Sequence, residues 1–277
     1  MSIVDATAPR THTHAQTHAG AQAMTPVQRQ SMDSETVTSA HLERLVREFG
    51  HLDGEALLDA MVHQAFPNKI AMVSSFGSEA VVLLHLLSRV NPTVPVLFLN
   101  TGKLFGETLR YRDRLQEKLG LTDVRSLGPD PRIEADLDPK GDLWARNPDQ
   151  CCHFRKVLPL ARGLEGFAAS ITGRKQFQTD ARSAMPVIEQ EKDATGAPGR
   201  FKINPLANWT LAELKSYIED HRLPRHPLVD DGYLSIGCMP CTDRVKDGED
   251  YRSGRWAGLD KDECGIHVPG LVDGDGI

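Results

Sequence analysis

The sequence has no long apolar run and no excess of basic residues, and both absences exclude classes of protein. None of its hydrophobic stretches approaches the roughly 18 residues that a membrane-spanning helix requires, and no signal-peptide core is found near the start. It has 32 Lys and Arg against 38 Asp and Glu, a formal net charge of −6, whereas a dedicated nucleic-acid-binding protein is usually basic. These features predict a soluble, cytoplasmic protein that binds neither membranes nor nucleic acids.

Cysteine is scarce, with five in 277 residues, and the five do not form the pattern of a disulfide framework. Cys151 and Cys152 are adjacent, Cys238 and Cys241 form a C-x-x-C motif, and Cys264 stands alone near the C-terminal end. An odd count with two adjacent residues indicates a reducing compartment. Two tight pairs of thiolates can hold one tetrahedral metal ion or an iron–sulfur cluster. The fifth thiol is then a candidate nucleophile.

The distribution of apolar residues predicts a tail followed by an α/β fold. Residues 1–36 are rich in Thr, Ala, Gln, Ser and His and have few large apolar residues, which predicts a disordered tail. From about residue 39, apolar residues recur at helical spacing and alternate with short apolar segments. This alternation is typical of a parallel sheet with helices on both faces. The predicted strands are Lys69–Ser75, Pro95–Leu99, Val124–Leu127 and Ala168–Thr172.

The second half of the chain is less regular. Residues 174–200 have little apolar content and end in a Gly- and Pro-rich stretch, which predicts a long mobile loop. A strand near Phe201–Ile203 and a helix over Leu211–His221 complete the predicted core. Beyond Asp230 the sequence is Gly-rich and irregular, which predicts a mobile C-terminal segment. The predicted divisions of the chain are therefore 1–36, 37–230 and 231–277.

Small polar and basic residues follow three of the predicted strands, at the edge where open α/β sheets bind ligands. The first group, Ser74-Ser75-Phe76-Gly77-Ser78-Glu79, leads into a helix and could bind a phosphate through backbone N–H groups, or could be only structural. The second group is Asn100-Thr101-Gly102. The third is Thr172-Gly173-Arg174-Lys175, with Arg182 beyond it. Its positive charge suits a phosphate or a sulfate, although a solvated surface run is the alternative.

Basic residues also accompany the cysteine pair. Arg155 and Lys156 lie within about one helical turn of Cys151 and Cys152, where they could neutralise the charge of a cluster or reach an anionic ligand. Adjacent cysteines are unusual in a structural zinc site, whose ligands are normally two to four residues apart. The spacing thus favours iron–sulfur over zinc, and zinc stays open as the alternative.

The isolated cysteine has basic neighbours as well. Arg252 and Arg255 precede Cys264, and His267 follows it. Positive charge beside a thiol lowers its pKa from about 8.5 and raises the thiolate fraction at neutral pH. The pattern therefore favours a reactive thiol, and an idle terminal cysteine is the alternative.

Together, these segments resemble the assimilatory sulfonucleotide reductases, in particular the iron–sulfur type that reduces adenosine 5′-phosphosulfate. The resemblance extends from about residue 40 to residue 270. It rests on the following motifs, whose order is specific: Ser-Ser-Phe-Gly-Ser-Glu at 74–79, Leu-Asn-Thr-Gly at 99–102, Cys-Cys-x-x-Arg-Lys-Val-x-Pro-Leu at 151–160, Thr-Gly-Arg at 172–174, His-Pro-Leu at 226–228, Cys-x-x-Cys at 238–241 and Glu-Cys-Gly-Ile-His at 263–267.

The resemblance implies a fold and a set of site residues. The fold is adenine-nucleotide α-hydrolase-like, with residues 37–230 binding the nucleotide and residues 231–277 carrying part of the cluster site and the catalytic cysteine. A [4Fe–4S] cluster is implied on Cys151, Cys152, Cys238 and Cys241, with Cys264 and His267 as catalytic residues. The implied substrate-binding residues are Ser74, Ser75, Gly77, Ser78, Thr101, Gly102, Arg155, Lys156, Arg174, Arg182, Arg252 and Arg255.

The activity that the resemblance implies is thioredoxin-dependent reduction of adenosine 5′-phosphosulfate to sulfite and AMP. It implies a Cys-S-sulfonate intermediate on Cys264, a place in the sulfate assimilation that supplies cysteine biosynthesis, and a homo-oligomer, either a dimer or a tetramer. Relatives that use 3′-phosphoadenosine 5′-phosphosulfate typically lack the cluster cysteines, so the four cysteines favour the unphosphorylated substrate.

Three alternatives differ in the features they require. One is a reductase of 3′-phosphoadenosine 5′-phosphosulfate. Another is an ATP-pyrophosphatase-type tRNA thiolation enzyme, which needs a Ser-Gly-Gly-x-Asp-Ser type loop where this chain has Ser75-Phe76-Gly77-Ser78-Glu79-Ala80. The third is a zinc-stabilised nucleotide-sensing module, which leaves Cys264 without a role.

Overall fold

A six-stranded sheet forms the centre of the computed structural model, which describes residues 40–192, 196–258, 261 and 265–266. Its strands are β1 Ile70–Ser74, β2 Val96–Leu99, β3 Val124–Leu127, β4 Ala169–Ile171, β5 Ile188–Lys192 and β6 Pro198–Ile203. They lie in the order β3-β2-β1-β4-β6-β5, and every neighbouring pair is parallel except β5 with β6. The carboxyl ends of β1, β2 and β4 therefore meet at one edge of the sheet.

Helices connect these strands. They are α1 over residues 40–49, α2 Gly54–Ala60, α3 Ala80–Val90, α4 Gly106–Leu119, α5 Pro131–Leu137, α6 Leu143–Arg146, α7 Pro148–Cys152, α8 Leu158–Gly163 and α9 Leu211–Asp220. Two π turns also occur: Met61–Ala65 extends α2, and His153–Val157 joins α7 to α8. None of the helices in the described part of the chain has both the length and the apolar character needed to cross a bilayer.

Local sequence explains where several helices begin and end. Thr210 and Glu213 form a reciprocal capping box at the start of α9. The Asn147 side chain accepts a hydrogen bond from the Gln150 N–H at the start of α7, where Pro148 occupies the first helical position. Helix α4 ends at Gly120, whose φ of 65° lies in the left-handed region that glycine adopts without strain.

The sheet is covered on both faces, because its strands alternate between two cores. On one face, Ile70, Met72 and Phe98 pack with the apolar residues of α3. On the other, Ala71 packs with Leu160 of α8. The prediction of a parallel α/β sheet with helices on both faces is thus confirmed, and the four strands predicted before residue 174 agree with β1–β4 to within a residue at each end.

The prediction of one long loop over residues 174–200 is wrong. The segment contains β5 and the start of β6, and it turns through short 3₁₀ helices at Gln176–Gln178 and Asp180–Arg182. Strand β5 lies at the edge of the sheet, where it pairs only with β6 among the described strands. An edge strand of a hairpin needs little apolar surface, so its Ile-Glu-Gln-Glu-Lys sequence lacks the signal of a buried strand.

His226 is buried against α4 as a neutral imidazole. Its Nδ1 accepts the Leu228 N–H at 3.2 Å, so Nε2 carries the proton and donates to Thr108 Oγ1 at 3.0 Å. The ring also stacks edge-on with Tyr111, with 4.8 Å between centroids. Burial lowers the pKa of His226 from 6.5 to about 4.

We expect the free energy of unfolding to fall as the pH is lowered from 6.5 towards 4. In this range His226 binds a proton in the unfolded chain, whereas its buried imidazole in the folded protein stays neutral. This stabilisation is fully present above pH 6.5, and its loss is at most about 3 kcal/mol. Urea unfolding at several pH values measures it. The His226→Gln variant should show a shallower pH dependence over the same range; identical slopes would contradict the assignment.

Candidate active site

A cavity of about 220 Å³ opens at the carboxyl ends of β1, β2 and β4. Its walls include the turn from β1 to α3, Thr101 after β2, and Thr172 to Lys175 after β4. These are the three polar segments that the sequence placed at strand ends. Since parallel strands present their carboxyl ends on one side, segments far apart in the chain meet here.

The conformation of the turn between β1 and α3 is fixed by its apolar residue, Phe76. Phe76 has a φ of 51°, a conformation that bulky side chains rarely adopt, and its ring is fully buried edge-on against Phe98 at 5.3 Å. On the polar side, the Phe76 N–H donates to Ser74 Oγ at 3.2 Å and Ser78 Oγ donates to the Leu234 carbonyl at 2.8 Å. The turn thereby brings the N-terminus of α3 to the cavity, where the helix dipole favours an anion.

The charges around the cavity are mostly positive. Of its described lining residues, only Glu79 carries a carboxylate, and Lys175 Nζ pairs with it at 2.5 Å. The lining cations are Lys156, Arg174, Lys175, Arg182, Arg252 and Arg255. Six cations against one carboxylate in a concave site suit an anionic ligand with more than one charge.

Arg174 is held in place by residues of three strands or strand ends. Its Nε donates to Thr172 Oγ1 at 3.2 Å, and its Nη2 donates to Asn204 Oδ1 at 3.1 Å and to the Glu189 carboxylate. Glu189 belongs to β5, the strand that the sequence did not predict. Fixed acceptors on two sides restrict the orientation of the planar guanidinium.

Arg255 lies directly on the backbone before the C-x-x-C motif. A Cβ atom added to Gly237 would stand 2.2 Å from Nη1 and 2.4 Å from Cζ of Arg255. The guanidinium also covers the ring of Trp256, with 4.3 Å between Cζ and the centroid. Glycine at position 237 thus permits this close approach.

A second, smaller cavity adjoins the first and is lined by both cysteine pairs. Its lining residues are Lys103, Trp144, Pro148, Cys151, Cys152, Arg155, Lys156, Cys238, Pro240 and Cys241. None of these four cysteines is in a disulfide. Cys151 and Cys152 end α7. The C-x-x-C motif reaches the same place because the Met239 N–H donates to the Lys103 carbonyl at 2.7 Å, beyond the end of β2.

Burial and mutual repulsion raise the pKa of two thiols of this cysteine cavity, those of Cys151 and Cys241. Burial, followed by the neighbouring Cys152, raises the pKa of Cys151 to about 11, and Arg155 opposes the shift. Burial and then Cys238 raise the pKa of Cys241, whereas Lys156 lowers it. The shifts show that the two pairs lie within electrostatic range of each other.

Arg155 belongs to the cysteine cavity and does not line the larger one. Its side chain is 1% exposed and donates to the Thr101 carbonyl at 2.9 Å, Asp138 Oδ2 at 2.7 Å and Glu134 Oε1 at 2.8 Å. Its Nε–H is buried and has no acceptor in the part of the chain that the structure describes. Gly102 also lies outside the larger cavity's wall; it forms a turn with φ of 71° close to the Arg155 guanidinium.

Two side chains line both cavities. They are Lys156, which is only 9% exposed to solvent, and Cys238. Thr101 lines the larger cavity, and its Oγ1 lies 3.2 Å from Cys238 Sγ. A charge placed in one cavity therefore acts on groups in the other across a single layer of side chains.

Comparison with known proteins adds to this geometry. The family model of the phosphoadenosine phosphosulfate reductase domain matches residues 69–244. The chain belongs to the phosphoadenosine phosphosulfate reductase family. Adenosine 5′-phosphosulfate reductase of Mesorhizobium japonicum is 48% identical over 86% of this chain and 92% of its own. The protein of the same name from a Chelativorans species is 49% identical over 80% and 89%.

A solved structure supports the same family fold. Phosphoadenylyl-sulfate reductase from Candida auris, in a phosphate complex, superimposes with a TM-score of 0.61 at 29% identity, covering 74% of this chain and 97% of that one. This likeness and the family match confirm the resemblance seen in the motifs and the adenine-nucleotide α-hydrolase-like fold it implied.

Some residues of this family member's site were not predicted. Tyr251 and Trp256 line the larger cavity beside the arginines. Trp256 has a φ of 50°, and its buried indole N–H has no acceptor among the described residues. The only signal in the sequence is that both aromatic residues adjoin Arg252 or Arg255.

Cys264 and His267 lie outside the described residues. Two described residues of the same segment contact other parts of the chain. Ile266 lines the larger cavity and packs against the core that contains Ala71. Lys261 pairs with Asp149 of α7.

Proposed function

We propose that this protein is an adenosine 5′-phosphosulfate reductase that uses thioredoxin to release sulfite and AMP. The observation that carries the proposal is the shared wall: a cavity lined by four cysteines adjoins a cationic cavity, and Lys156 and Cys238 line both. Two relatives that carry this name are 48% and 49% identical to the chain. The second candidate, a reductase of the 3′-phosphorylated nucleotide, has no comparable support from the four cysteines.

The larger cavity is suited to bind the phosphosulfate group. Its phosphate and sulfate oxygens are anionic, and the cavity offers six cations together with the N-terminus of α3. Ser74, Ser75, Gly77 and Ser78 would contact the nucleotide through the turn after β1. Arg174, Arg182, Arg252 and Arg255, with Lys156, would offset the charge that otherwise repels a thiolate.

Cys264 is the proposed nucleophile, with His267 beside it. Its thiolate attacks the sulfur of the phosphosulfate, an S–S bond forms, the bond from that sulfur to the phosphate oxygen breaks, and AMP leaves with the electron pair. A thioredoxin thiolate then attacks Cys264 Sγ and displaces sulfite, and its second thiol resolves the mixed disulfide. Ile266, two residues along the chain from Cys264, lines the cavity, which supports this role.

Cys151, Cys152, Cys238 and Cys241 are the proposed ligands of a [4Fe–4S] cluster. Arg155 lines the cysteine cavity, and its buried Nε–H, which has no acceptor among the described residues, fits an electron-rich group bound there. Adjacent cysteines such as Cys151 and Cys152 are unusual in a structural zinc site, which favours the cluster over zinc. When bound, the cluster would act as an electrostatic and structural element.

The remaining parts of the proposal concern the setting of the enzyme. None of Cys151, Cys152, Cys238 and Cys241 forms a disulfide, which supports a reducing compartment, the cytoplasm, and a role in sulfate assimilation. The proposal also divides the chain into a tail over 1–36, a nucleotide-binding domain over 37–230 and a C-terminal segment over 231–277. It further includes assembly of the protein as a dimer or a tetramer.

The deciding experiment is an intact-mass spectrum with peptide mapping after anaerobic incubation with adenosine 5′-phosphosulfate and no thioredoxin. We expect one added SO₃ group, confined to Cys264 and removed as sulfite by reduced thioredoxin. No adduct from a cluster-loaded preparation would refute the proposal. An adduct formed only with the 3′-phosphorylated nucleotide would establish the second candidate instead.

Gly237→Ala is expected to raise the KM for adenosine 5′-phosphosulfate about tenfold, because its Cβ would displace the Arg255 guanidinium. Steady-state kinetics measure the change. The Arg255→Ala variant should raise KM by at least as much, and the double variant should be no worse than Arg255→Ala alone. Additive losses would show that Gly237 acts independently of Arg255.

A further inference from the structure

We infer that Asp138 is a positioning residue that fixes Arg155 and the Cys151–Cys152 segment around the cysteine cavity. The inference rests on the proposed cluster-binding role of those cysteines. Asp138 belongs to none of the motifs seen in the sequence, and it lies 17 positions before Arg155. Two contacts made by its single carboxylate carry the inference.

The first contact is the ion pair with Arg155. The side chains of Arg155 and Asp138 are 1% and 0% exposed, and Nη2 lies 2.7 Å from Oδ2. A buried guanidinium requires a paired acceptor, because removal of one partner leaves an uncompensated charge. Glu134 bonds to the same nitrogen at 2.8 Å but is 41% exposed, so solvent screens it. Asp138 is therefore the principal partner.

The second contact ties this ion pair to the helices that carry the cysteines. Asp138 Oδ1 accepts the Leu143 N–H at 2.8 Å, where α6 begins. Leu143, Cys151 and Phe154 then share one buried apolar cluster. One carboxylate thus bonds to the chain before the cysteine pair through Leu143 and to the chain after it through Arg155.

The planarity of the guanidinium transmits this constraint to the cavity. Asp138 fixes Nη2 and the Thr101 carbonyl fixes Nη1, at 2.7 and 2.9 Å. With both Nη atoms held, the direction of the third nitrogen, Nε, is also fixed. Nε carries the donor that has no acceptor among the described residues, so Asp138 determines how Arg155, which lines the cysteine cavity, orients that donor.

Asp138 also sets the charge beside the cavity. Its carboxylate offsets the charge of Arg155, which lines the cavity wall. Replacing Asp138 by Asn keeps an acceptor for the Leu143 N–H but removes one negative charge from a buried site. A bound cluster would then be easier to reduce, because added electron density is stabilised by the less compensated guanidinium.

The test compares Asp138→Asn with Glu134→Gln, a matched control on the same Arg155 nitrogen, in the full-length protein purified without oxygen. We expect Asp138→Asn to lose iron to a chelator about tenfold faster than the unmodified protein and to show a more positive cluster reduction potential. Glu134→Gln should stay within about twofold for iron loss and keep its potential. Asp138→Glu, which retains the charge, should restore the potential; a purely structural role would not separate Asn from Glu in this way.

A cluster-free measurement separates this inference from the proposed function. In the apo-protein, Asp138→Asn should speed amide hydrogen exchange across residues 143–157, and Glu134→Gln should not. A wild-type chain that binds no cluster would contradict the cofactor assignment, and the exchange data would still decide the role of Asp138. Equal exchange and equal iron loss in the two variants would overturn the inference.

A double variant covers the case in which Asp138→Asn does not fold. Asp138→Asn combined with Arg155→Met removes both charges of the buried pair and is expected to fold. Because Asp138 acts through Arg155, the double variant should lose iron no faster than Arg155→Met alone, which keeps a buried carboxylate without its partner. A clearly faster loss in the double variant would overturn the inference.

Discussion

Replacing Cys264 by serine is expected to lower sulfite release from adenosine 5′-phosphosulfate by at least about 10³-fold. A serine hydroxyl is un-ionised at neutral pH, so the attack on sulfur loses its nucleophile. It also cannot form a disulfide with thioredoxin, so the second displacement has no path. Sulfite release under steady-state conditions measures the loss, and intact mass should show no SO₃ adduct on the variant.

Loss of fold or cofactor must be separated from loss of the nucleophile. The other four cysteines line the cysteine cavity, so Cys264→Ser should keep the iron content and visible absorption of the unmodified protein. Nucleotide binding, measured with AMP, should also be unchanged. Sulfite release within tenfold of the unmodified enzyme would exclude Cys264 as the nucleophile.

Lys156→Met is expected to lower kcat/KM by about 10² to 10³, or about 3 to 4 kcal/mol of transition-state stabilisation. Lys156 is almost fully buried and lines both cavities, so its charge acts in a poorly solvated place. No water can replace a cation removed from such a site at equal strength. Kinetics with the cluster-loaded enzyme measure the effect.

Two variants make the Lys156 result specific. Lys246→Met removes a lysine whose side chain is 85% exposed, and activity should stay within about twofold. Lys156→Arg keeps the charge with a different shape and should recover part of the loss. Full activity in Lys156→Met, with the cluster present, would contradict an electrostatic role for this residue.

The parts of the fold with a strong local signal could be predicted from the sequence. Strands β1 and β2 are short apolar runs buried on both faces, and the polar residues after them mark the cavity, because chain order fixes where parallel strands end. Strand β5 could not be found this way. Its residues form an edge strand, and its partner β6 lies across a hairpin, so pairing and not composition determines its structure.

The sequence could predict which types of residue form the candidate site, but not which cavity each side chain lines. Clustered arginines and cysteine pairs indicate chemistry, yet their spacing does not say that Arg155 faces the cysteines while Lys156, its neighbour, reaches both cavities. That division depends on the π turn between α7 and α8. Acidic residues such as Asp138 were missed for a similar reason, since a carboxylate outside any motif reveals its partner only in three dimensions.

The π turn over His153–Val157 decides the effect of a change in the length of this stretch of chain. Its closing bond runs from the Leu158 N–H to the His153 carbonyl, one residue wider than in an α-helix. Deleting one residue there would let the same N–H and carbonyl close an ordinary α-helical turn, so α8 would keep its packing against the sheet. The bulge would be lost, and with it the directions in which Arg155 and Lys156 leave the helix towards their cavities. A single-residue deletion between the cysteines and α8 would therefore leave the fold intact and alter the site.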